Sequence, residues 1–378
     1  MSTSIIYLGL DVHKESVTIA VLPAAAAAPT QVDRLPPDRR KLRAYLARLA
    51  QQGALRCCYE ASGAGYVLHR LLTSWGYHCD VVAPSLIPQR PGHQRKHDRY
   101  DARQLARLYR AGELTVIRIP TAAEERVRDL VRCRATFQRD LLRARQRVLK
   151  FLRRRGLVYA RGKSHWTQTH RRWLAALLAQ PASAGLGPED ATVLGEHLAL
   201  RSYLEQRRAE LDRQIEALAL TPALQATVGR LGSFCGLDTH AAVVLATELG
   251  DWQRFTTAGQ LMAYVGLVPR EDSSGPRERR GSITKAGNAY CRHVLVQAAW
   301  AYRHPPRVGA ALRARQRGQP AAVVAHSWQA QQRLHRLYRR IAARRGAAVA
   351  VVAVARELVG FLWAVEQTPS GARAPAAA

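Results

Sequence analysis

Apolar runs of strand length alternate with helical-period stripes over the first third of the chain. Ile5 to Leu10 is a short apolar run that stops at Asp11, and Ser16 to Leu22 is a second run rich in β-branched residues. Leu55 to Tyr59 reads as a buried strand ending at Glu60, and His78 to Ala83 as another. Pro37 to Gln52 has helical spacing, with Leu42, Tyr45, Leu46 and Leu49 on one face; Gly63 to Trp75 and Arg99 to Ala111 are helical as well. The alanine tract after the second strand, Ala24 to Pro29, reads as a low-complexity loop. Strands alternating with helices predict an α/β layered unit.

From Glu124 the period lengthens into long helix. Val127, Leu130, Phe137, Leu141, Ala144, Val148 and Phe151 fall on a and d positions of a heptad, with Arg134 the one polar interruption. That pattern predicts a coiled coil, and Ala191 to Leu220 supplies a second helix with Leu204, Leu211, Ile215 and Leu218 at the same spacing. The pair would form an antiparallel hairpin, or each helix would pair with a second copy of the chain. Ala226 to Trp300 reads as a third unit. Gly236-Leu237-Asp238-Thr239 turns into a helix over Ala241 to Leu249, as in a helix-hairpin-helix-like element. A helix over Phe255 to Val265, a Gly/Ser/Arg loop over Pro269 to Ser282 and a helix over Thr284 to Trp300 follow. Beyond Arg303 the chain is basic and helical, with Trp328, Leu334, Leu337 and Ile341 at helical spacing, and it ends in a small-residue tail.

Charge changes this picture more than composition does. The 378 residues suit two or three domains, and 47% of them are apolar. Lys plus Arg number 58 against 28 Asp plus Glu, a net charge of +30, and only six of the 58 are lysines. Self-repulsion on that scale strains a compact fold unless a polyanion neutralises it, and Arg suits bidentate phosphate binding. Nucleic acid is the implied partner. The excess is densest over Glu124 to Arg172, where 16 basic residues face four acids; a solvated helix face is the ordinary explanation, but so long a one-signed run favours phosphate contact. None of the six cysteines has C-x-x-C spacing, so neither a zinc site nor a disulfide framework is supported. No signal peptide is evident, and the longest apolar stretch, Ala347 to Val365, is interrupted by Arg356, Glu357 and Gly360 and reads as a buried helix. The expectation is an intracellular protein without a membrane span.

Four acids stand at element ends. Asp11 and Glu60 close strands, and Asp98 and Asp101 are three apart at a helix start, hence on one face. Carboxylates gathered at the C-terminal edge of an open sheet repel one another unless a hard divalent cation lies between them, and oxygen ligands favour Mg²⁺ or Mn²⁺. Two such ions can activate an attacking oxygen and stabilise a leaving one in phosphodiester cleavage. Each acid alone could equally cap a helix or pair with Arg. His13 and His97 could ligate metal, but the sequence favours reading them as solvent-facing neighbours. Asp272-Ser273-Ser274-Gly275, followed by Arg277, Arg279 and Arg280, offers a hydroxyl beside guanidiniums that could neutralise a phosphate, although Ser-Ser-Gly is also ordinary turn chemistry. Phosphate-loop, dinucleotide-binding and nucleophile-elbow motifs are absent.

The motifs YLGLDVHK (Tyr7 to Lys14), YEASGAGY (Tyr59 to Tyr66) and RKHDRYDARQLARL (Arg95 to Leu108), then ELGDWQRFTTAGQLMAYVGLVPREDSSG and RRGSITKAGNAYCRHVL, occur here in order. In that order and spacing the chain resembles the DEDD transposases of the insertion-sequence-110 family, the bridge-RNA-guided recombinases, from about Ile6 to Phe361. The resemblance implies a ribonuclease-H-like (RuvC-like) α/β N-terminal domain over 1–120 and a basic coiled-coil insert over 121–225. A mainly α-helical transposase domain with the helix-hairpin-helix-like element would follow over 226–310, and a basic helical extension and tail over 311–378. It puts the catalytic, metal-binding acids on Asp11, Glu60, Asp98 and Asp101 and the nucleophile on Ser274, with Mg²⁺ (or Mn²⁺) as cofactor.

Strand exchange would then run through a phosphoserine-DNA intermediate, with a structured bridge RNA pairing to donor and target DNA. Backbone contacts are expected from Arg145, Arg147, Lys150, Arg153, Arg277, Arg279, Arg280 and Lys285. A homo-oligomer, a dimer or a tetramer in the synapse, is implied, working in the bacterial cytoplasm beside the nucleoid. The chain departs from the family pattern at Lys96-His97-Asp98, at Ser233-Phe234-Cys235-Gly236 and at Thr284-Lys285. Alignment to Gly275 favours Ser274 over its neighbour Ser273 without deciding between them. Two other readings remain: a Mg²⁺-dependent junction-resolving nuclease using water as nucleophile, and a non-catalytic nucleic-acid-binding descendant of a transposase.

Overall fold

A computed structural model describes residues 4–88, 97–160, 162, 164–271 and 280–367. The chain divides into two compact units, Met1–Thr121 and Ala122–Ala378.

The first unit is built on β1 (Ile5–Val12), β2 (Val17–Pro23), β3 (Gln31–Leu35), α1 (Arg39–Ala50), β4 (Ala54–Glu60), α2 (Val67–Ser74), β5 (His78–Val82) and α3 (Asp98–Ala111). The sheet order is β3-β2-β1-β4-β5. β1, β2 and β3 form an antiparallel meander, whereas β4 runs parallel to β1 and β5 parallel to β4. This is a mixed α/β sheet, consistent with the ribonuclease-H-like fold that the resemblance implies. β3 has no counterpart in the sequence reading, because an edge strand with Gln31, Asp33 and Arg34 among its five residues carries too little apolar pattern.

The sheet is covered on both faces, which is why β2 is apolar without alternation. Leu42, Tyr45, Leu46 and Leu49 of α1 and Leu72 of α2 pack on Leu8, Leu10, Ile19 and Val81. On the opposite face α3 sets Ala102 and Ala106 against Ala20 and Leu22. Gly9 permits that approach: a Cβ there would lie 2.2 Å from the Ala102 carbonyl oxygen and 2.5 Å from the Ala106 nitrogen. α3 thus rests on bare β1 backbone. Gly9→Ala should push α3 outward and cost about 1–3 kcal/mol of stability in chemical denaturation, the usual penalty of overpacking.

The second unit begins with α4 (Ala122–Arg154), α5 (Gln168–Ala179) and α6 (Pro188–Ala219). α4 and α6 lie antiparallel. Arg134 meets Asp212 at 2.7 Å, Arg145 meets Glu205 at 2.9 Å and Arg155 meets Asp190 at 2.6 Å, so partner numbers fall along α6 as they rise along α4. Arg134, the polar break in the apolar repeat, is therefore accommodated by an acid on the facing helix. Leu141, Ala144, Val148 and Phe151 are buried on the α6 side or at the tip, where Leu174, Leu177, Leu186 and Leu194 complete a cluster. α5, which closes that tip, has no counterpart among the helices expected from the sequence.

The rest is α7 (Gln225–Gly232), α8 (Thr239–Leu249), α9 (Ala258–Tyr264), β6 (Pro269–Glu271), β7 (Arg280–Ile283), α10 (Ala289–Ala299), α11 (Ala310–Gln316), α12 (Ala321–Arg345) and α13 (Ala347–Gln367). α13 is long and apolar enough to cross a membrane, yet Val351, Val354, Ala355, Leu358, Val359 and Leu362 are packed in the core with α8, α9, α10 and α12. At its end the buried Glu366 is held by Arg230 of α7, Nε at 2.9 Å and Nη2 at 2.6 Å.

Two sequence expectations need correction here. The stretch from Pro269 to Ser282 is not simply a loop: its ends form the antiparallel pair β6–β7, with Glu271 opposite Arg280. The helix expected from Thr284 starts at Ala289 instead, because Lys285 has φ +56° and Asn288 caps Tyr290 and Cys291 through its side-chain oxygen.

Candidate active site

β1 and β4 run parallel with Leu10 opposite Tyr59, so Asp11 and Glu60 both follow at the C-terminal ends of adjacent strands. Asp11 shares its face of the sheet with Gly9, the residue α3 covers, and Glu60 shares its face with Cys58, whose thiol contacts the Leu105 carbonyl of α3. Both strand acids therefore lie on the side of α3. Asp98 and Asp101 occupy the first turn of α3, capped by His97, whose Nδ1 accepts from the Arg99 N–H at 3.3 Å. His97 is thus a helix cap. The carboxylates at that helix start also suit the positive end of its dipole.

The closest grouping is Asp11, His13 and Asp98, whose ligand atoms all lie within 4.8 Å of one another. His13 Nε2 is 3.1 Å from Asp11 Oδ2 and 3.7 Å from Asp98 Oδ1. It reaches them from the turn joining β1 to β2, which its own N–H closes by donating to Ser16 O at 2.9 Å. Burial pushes the Asp11 carboxyl above its ordinary value, Asp98 and Asp101 add to the rise by repulsion, and His13 opposes it. A carboxylate destabilised by its own neighbours, beside another carboxylate and an imidazole, is a donor set that a divalent cation fits. His13 is the member that sequence reasoning ranks as a mere neighbour. The available signal is its D-x-H spacing at a strand end, which returns a side chain to the same side.

The second unit carries the other predicted residues. Asp272, Ser273, Ser274, Arg277 and Arg279 lie outside the described residues, while Arg280 opens β7, so the Glu271–Arg280 pair holds the two ends of the serine segment together. The base of this hairpin is stitched to the end of α9. Thr284 N donates to Val268 O at 2.9 Å, Lys285 N to Gly266 O at 3.1 Å and Asn288 N to Tyr264 O at 3.2 Å. Gly287 is required there, since a Cβ would fall 1.9 Å from the Tyr264 carbonyl oxygen. Arg292 donates from Nη1 to Val265 O and to Ala286 O, both at 2.8 Å.

Beneath this framework lies a cluster that the sequence does not announce. Buried Glu248 accepts from Arg132 at 2.7 Å and 2.9 Å and from the Asn288 side chain at 2.8 Å. Burial alone would raise its carboxyl, but Arg132 and Asn288 bring it below the ordinary range. Its residues come from α4, α8 and the α10 cap, too far apart in sequence for spacing to reveal.

On α4, Arg147, Lys150 and Arg153 are exposed. Arg145 is not free in the same way: it bonds Glu205 at 2.9 Å and lies 5.5 Å above the Trp166 ring. Arg171 joins the same carboxylate at 3.0 Å, and Arg201 bonds its other oxygen.

Two family models match the chain: a DEDD transposase model over residues 8–155 and the model described as transposase IS116/IS110/IS902 family over residues 228–312. The chain is 43% identical over 310 residues to a putative transposase, y4qE, of Sinorhizobium fredii, covering 82% of this chain and 74% of that one. It is 29% identical over 347 residues to the transposase for insertion sequence element IS1533 of Leptospira borgpetersenii, covering 90% and 97%.

Proposed function

We propose, from the premise that this chain belongs to the IS116/IS110/IS902 family of transposases and so acts on DNA to mobilise an insertion sequence, that it exchanges strands through a covalent phosphoserine intermediate on Ser274, under RNA guidance. The observation that carries this reading is the convergence of Asp11, His13 and Asp98, with Asp101 one turn along α3 and Glu60 on the adjacent strand end. The acids and His13 would hold Mg²⁺ or Mn²⁺. Such an ion, when bound, supplies Lewis-acid stabilisation of charge developing on a scissile phosphate.

The chain's own groups do the rest. Ser274 Oγ forms a bond to phosphorus, the bridging strand oxygen leaves, and the serine proton passes out as that oxygen is protonated. Phosphodiester becomes phosphoserine ester, so the bond is conserved for rejoining without a nucleotide cofactor. Arg277, Arg279 and Arg280 offset charge on the phosphate, and Lys285, on the strained turn after β7, presents an ammonium to the adjoining backbone. Ser273 would not be the nucleophile. The α7–α8 hairpin would serve as the helix-hairpin-helix element, and α4 with α6 as a coiled-coil arm.

Guidance by a structured RNA accounts for a net charge of +30 without an evident base-reading motif: the protein grips backbone and base pairing chooses sequence. Oligomerisation would bring the two DNA partners together. The arm carries its own test. Neutralising Arg147, Lys150 and Arg153 together should weaken RNA binding and reduce its salt slope by about 0.7–0.9 for each phosphate that is no longer neutralised; an unchanged slope would remove the arm from the interface. Arg145 is left out of that variant because it also bonds Glu205 of α6, so replacing it would disturb the helix pair as well as the charge.

The reading as a whole is tested by incubating end-labelled element DNA with the protein and Mg²⁺, with and without transcript from the element's non-coding flank. A protein-bound strand that depends on both is expected. Cleavage releasing only free ends would instead identify a nuclease that uses water.

A further inference from the structure

We infer that α12 carries a docking track for an unpaired DNA strand, with Trp328 as the platform on which one base stacks. The inference rests on the chain acting on DNA and is independent of the serine chemistry. At 100° per residue Leu334 and Leu337 lie about 240° and 180° round α12 from Trp328, so helical spacing already sets Trp328 apart from them, and the burial agrees. Leu334 is fully buried, whereas Trp328 is 38% exposed and meets no other ring among the described residues.

At 100° per residue, Trp328, Gln332, Arg336, Arg339 and Arg340 fall within a sector of about 120°, opposite the buried Val323, Ser327, Ala330 and Leu334. All five are exposed. The stripe runs ~18 Å along the helix, from Trp328 to Arg340.

Nothing on α12 offsets this charge, since the helix contains no Asp or Glu. Its one described ion pair joins Arg333 to Glu357 of α13, outside the sector. Arg336, Arg339 and Arg340 make no ion pair among the described residues. Unpaired guanidiniums on a rigid helix invite a polyanion. An exposed indole at the end of the row adds the second requirement of single-strand binding, a flat face for a base freed from its stack. Duplex DNA offers no such base, so the combination selects an unpaired strand, which strand exchange on DNA generates. The first two turns of α12, Ala321 to Ser327, carry no Lys or Arg, so the track starts at Trp328 and proceeds towards Arg340.

The test uses the full-length protein, a short single-stranded DNA, the matching duplex and an RNA of the same sequence, with affinities read by anisotropy across a salt series. Replacing Arg336, Arg339 and Arg340 together by Gln should lower single-strand affinity at least tenfold and reduce the salt slope by about 0.7 for each phosphate released. Trp328→Ala should lower affinity by about 5- to 150-fold, the range for one stacked base, and leave the slope unchanged; Trp328→Phe should restore most of it. Both sites are on the surface, so circular dichroism and thermal melts should match the unaltered protein. Wild-type affinity in both variants would overturn the proposal. So would a preference for duplex or for RNA that these substitutions diminish while single-stranded DNA binding stays as it was. Strand binding that responds to these substitutions as expected, in a protein that forms no covalent adduct with element DNA, would instead count against the serine chemistry alone.

Discussion

Asp11→Asn should yield a protein that folds and binds DNA but cleaves it at least about a hundredfold more slowly. A carboxylate ligand contributes to several kcal/mol of transition-state charge stabilisation by a metal, and each 1.36 kcal/mol is a factor of ten in rate. The stability readout makes the result specific. Asp11 is held above its ordinary carboxyl value, chiefly by burial and then by Asp98 and Asp101. Its folded form therefore keeps the proton more tightly than the unfolded chain does. The stability that this confers is complete below the unfolded value and is lost as pH rises through the raised folded value. At neutral pH the metal-free protein consequently bears an unfavourable charge at this position, and Asn removes it. The metal-free variant should melt at the same temperature as the unaltered protein or higher, while the increase in melting temperature on adding Mg²⁺ should shrink. Marked metal-free destabilisation would assign Asp11 a structural role, as a partner of His13, instead.

Ser274→Ala is expected to abolish the protein-DNA adduct and recombination together, with guide-RNA binding retained. Ser273 is the adjacent hydroxyl, and with Ser274 as the proposed nucleophile Ser273→Ala should keep at least partial activity. Removing Arg277 alone should slow adduct formation by roughly 10²–10³, the usual effect of deleting one preorganised donor to a charged intermediate. Peptide mapping of the adduct to a residue other than Ser274 would sink the assignment.

The readable parts of this molecule are those whose pattern is local. Ile5 to Leu10 followed by Asp11, and Asp98 three residues before Asp101, predict the strand end and the helix start from spacing alone. The heptad on α4 is readable for the same reason. What escapes the sequence depends on contact between distant segments. The tolerance of Gly9 for α3 shows only when Ala102 and Ala106 stand above it. Arg145 looks like any other basic residue until Glu205 arrives from α6. Lys285 at positive φ stops a helix that its side-chain pattern would have extended. Each is a case of tertiary geometry overriding a local preference.

The ion pairs between α4 and α6 also set a length. Arg134–Asp212, Arg145–Glu205 and Arg155–Asp190 bind the two helices at three levels, so neither can slide past the other without parting all three at once. The inner end of this pair is rooted in the same core as α13 through Val131, Ile215 and Ala219, while its outer end is sealed separately around Phe151 and Leu174. A 32-residue helix spans ~48 Å. The pair is thus a ruler: whatever its outer end grips is kept at a set distance from the C-terminal core, and the gauge is written in the number of helical turns between root and tip.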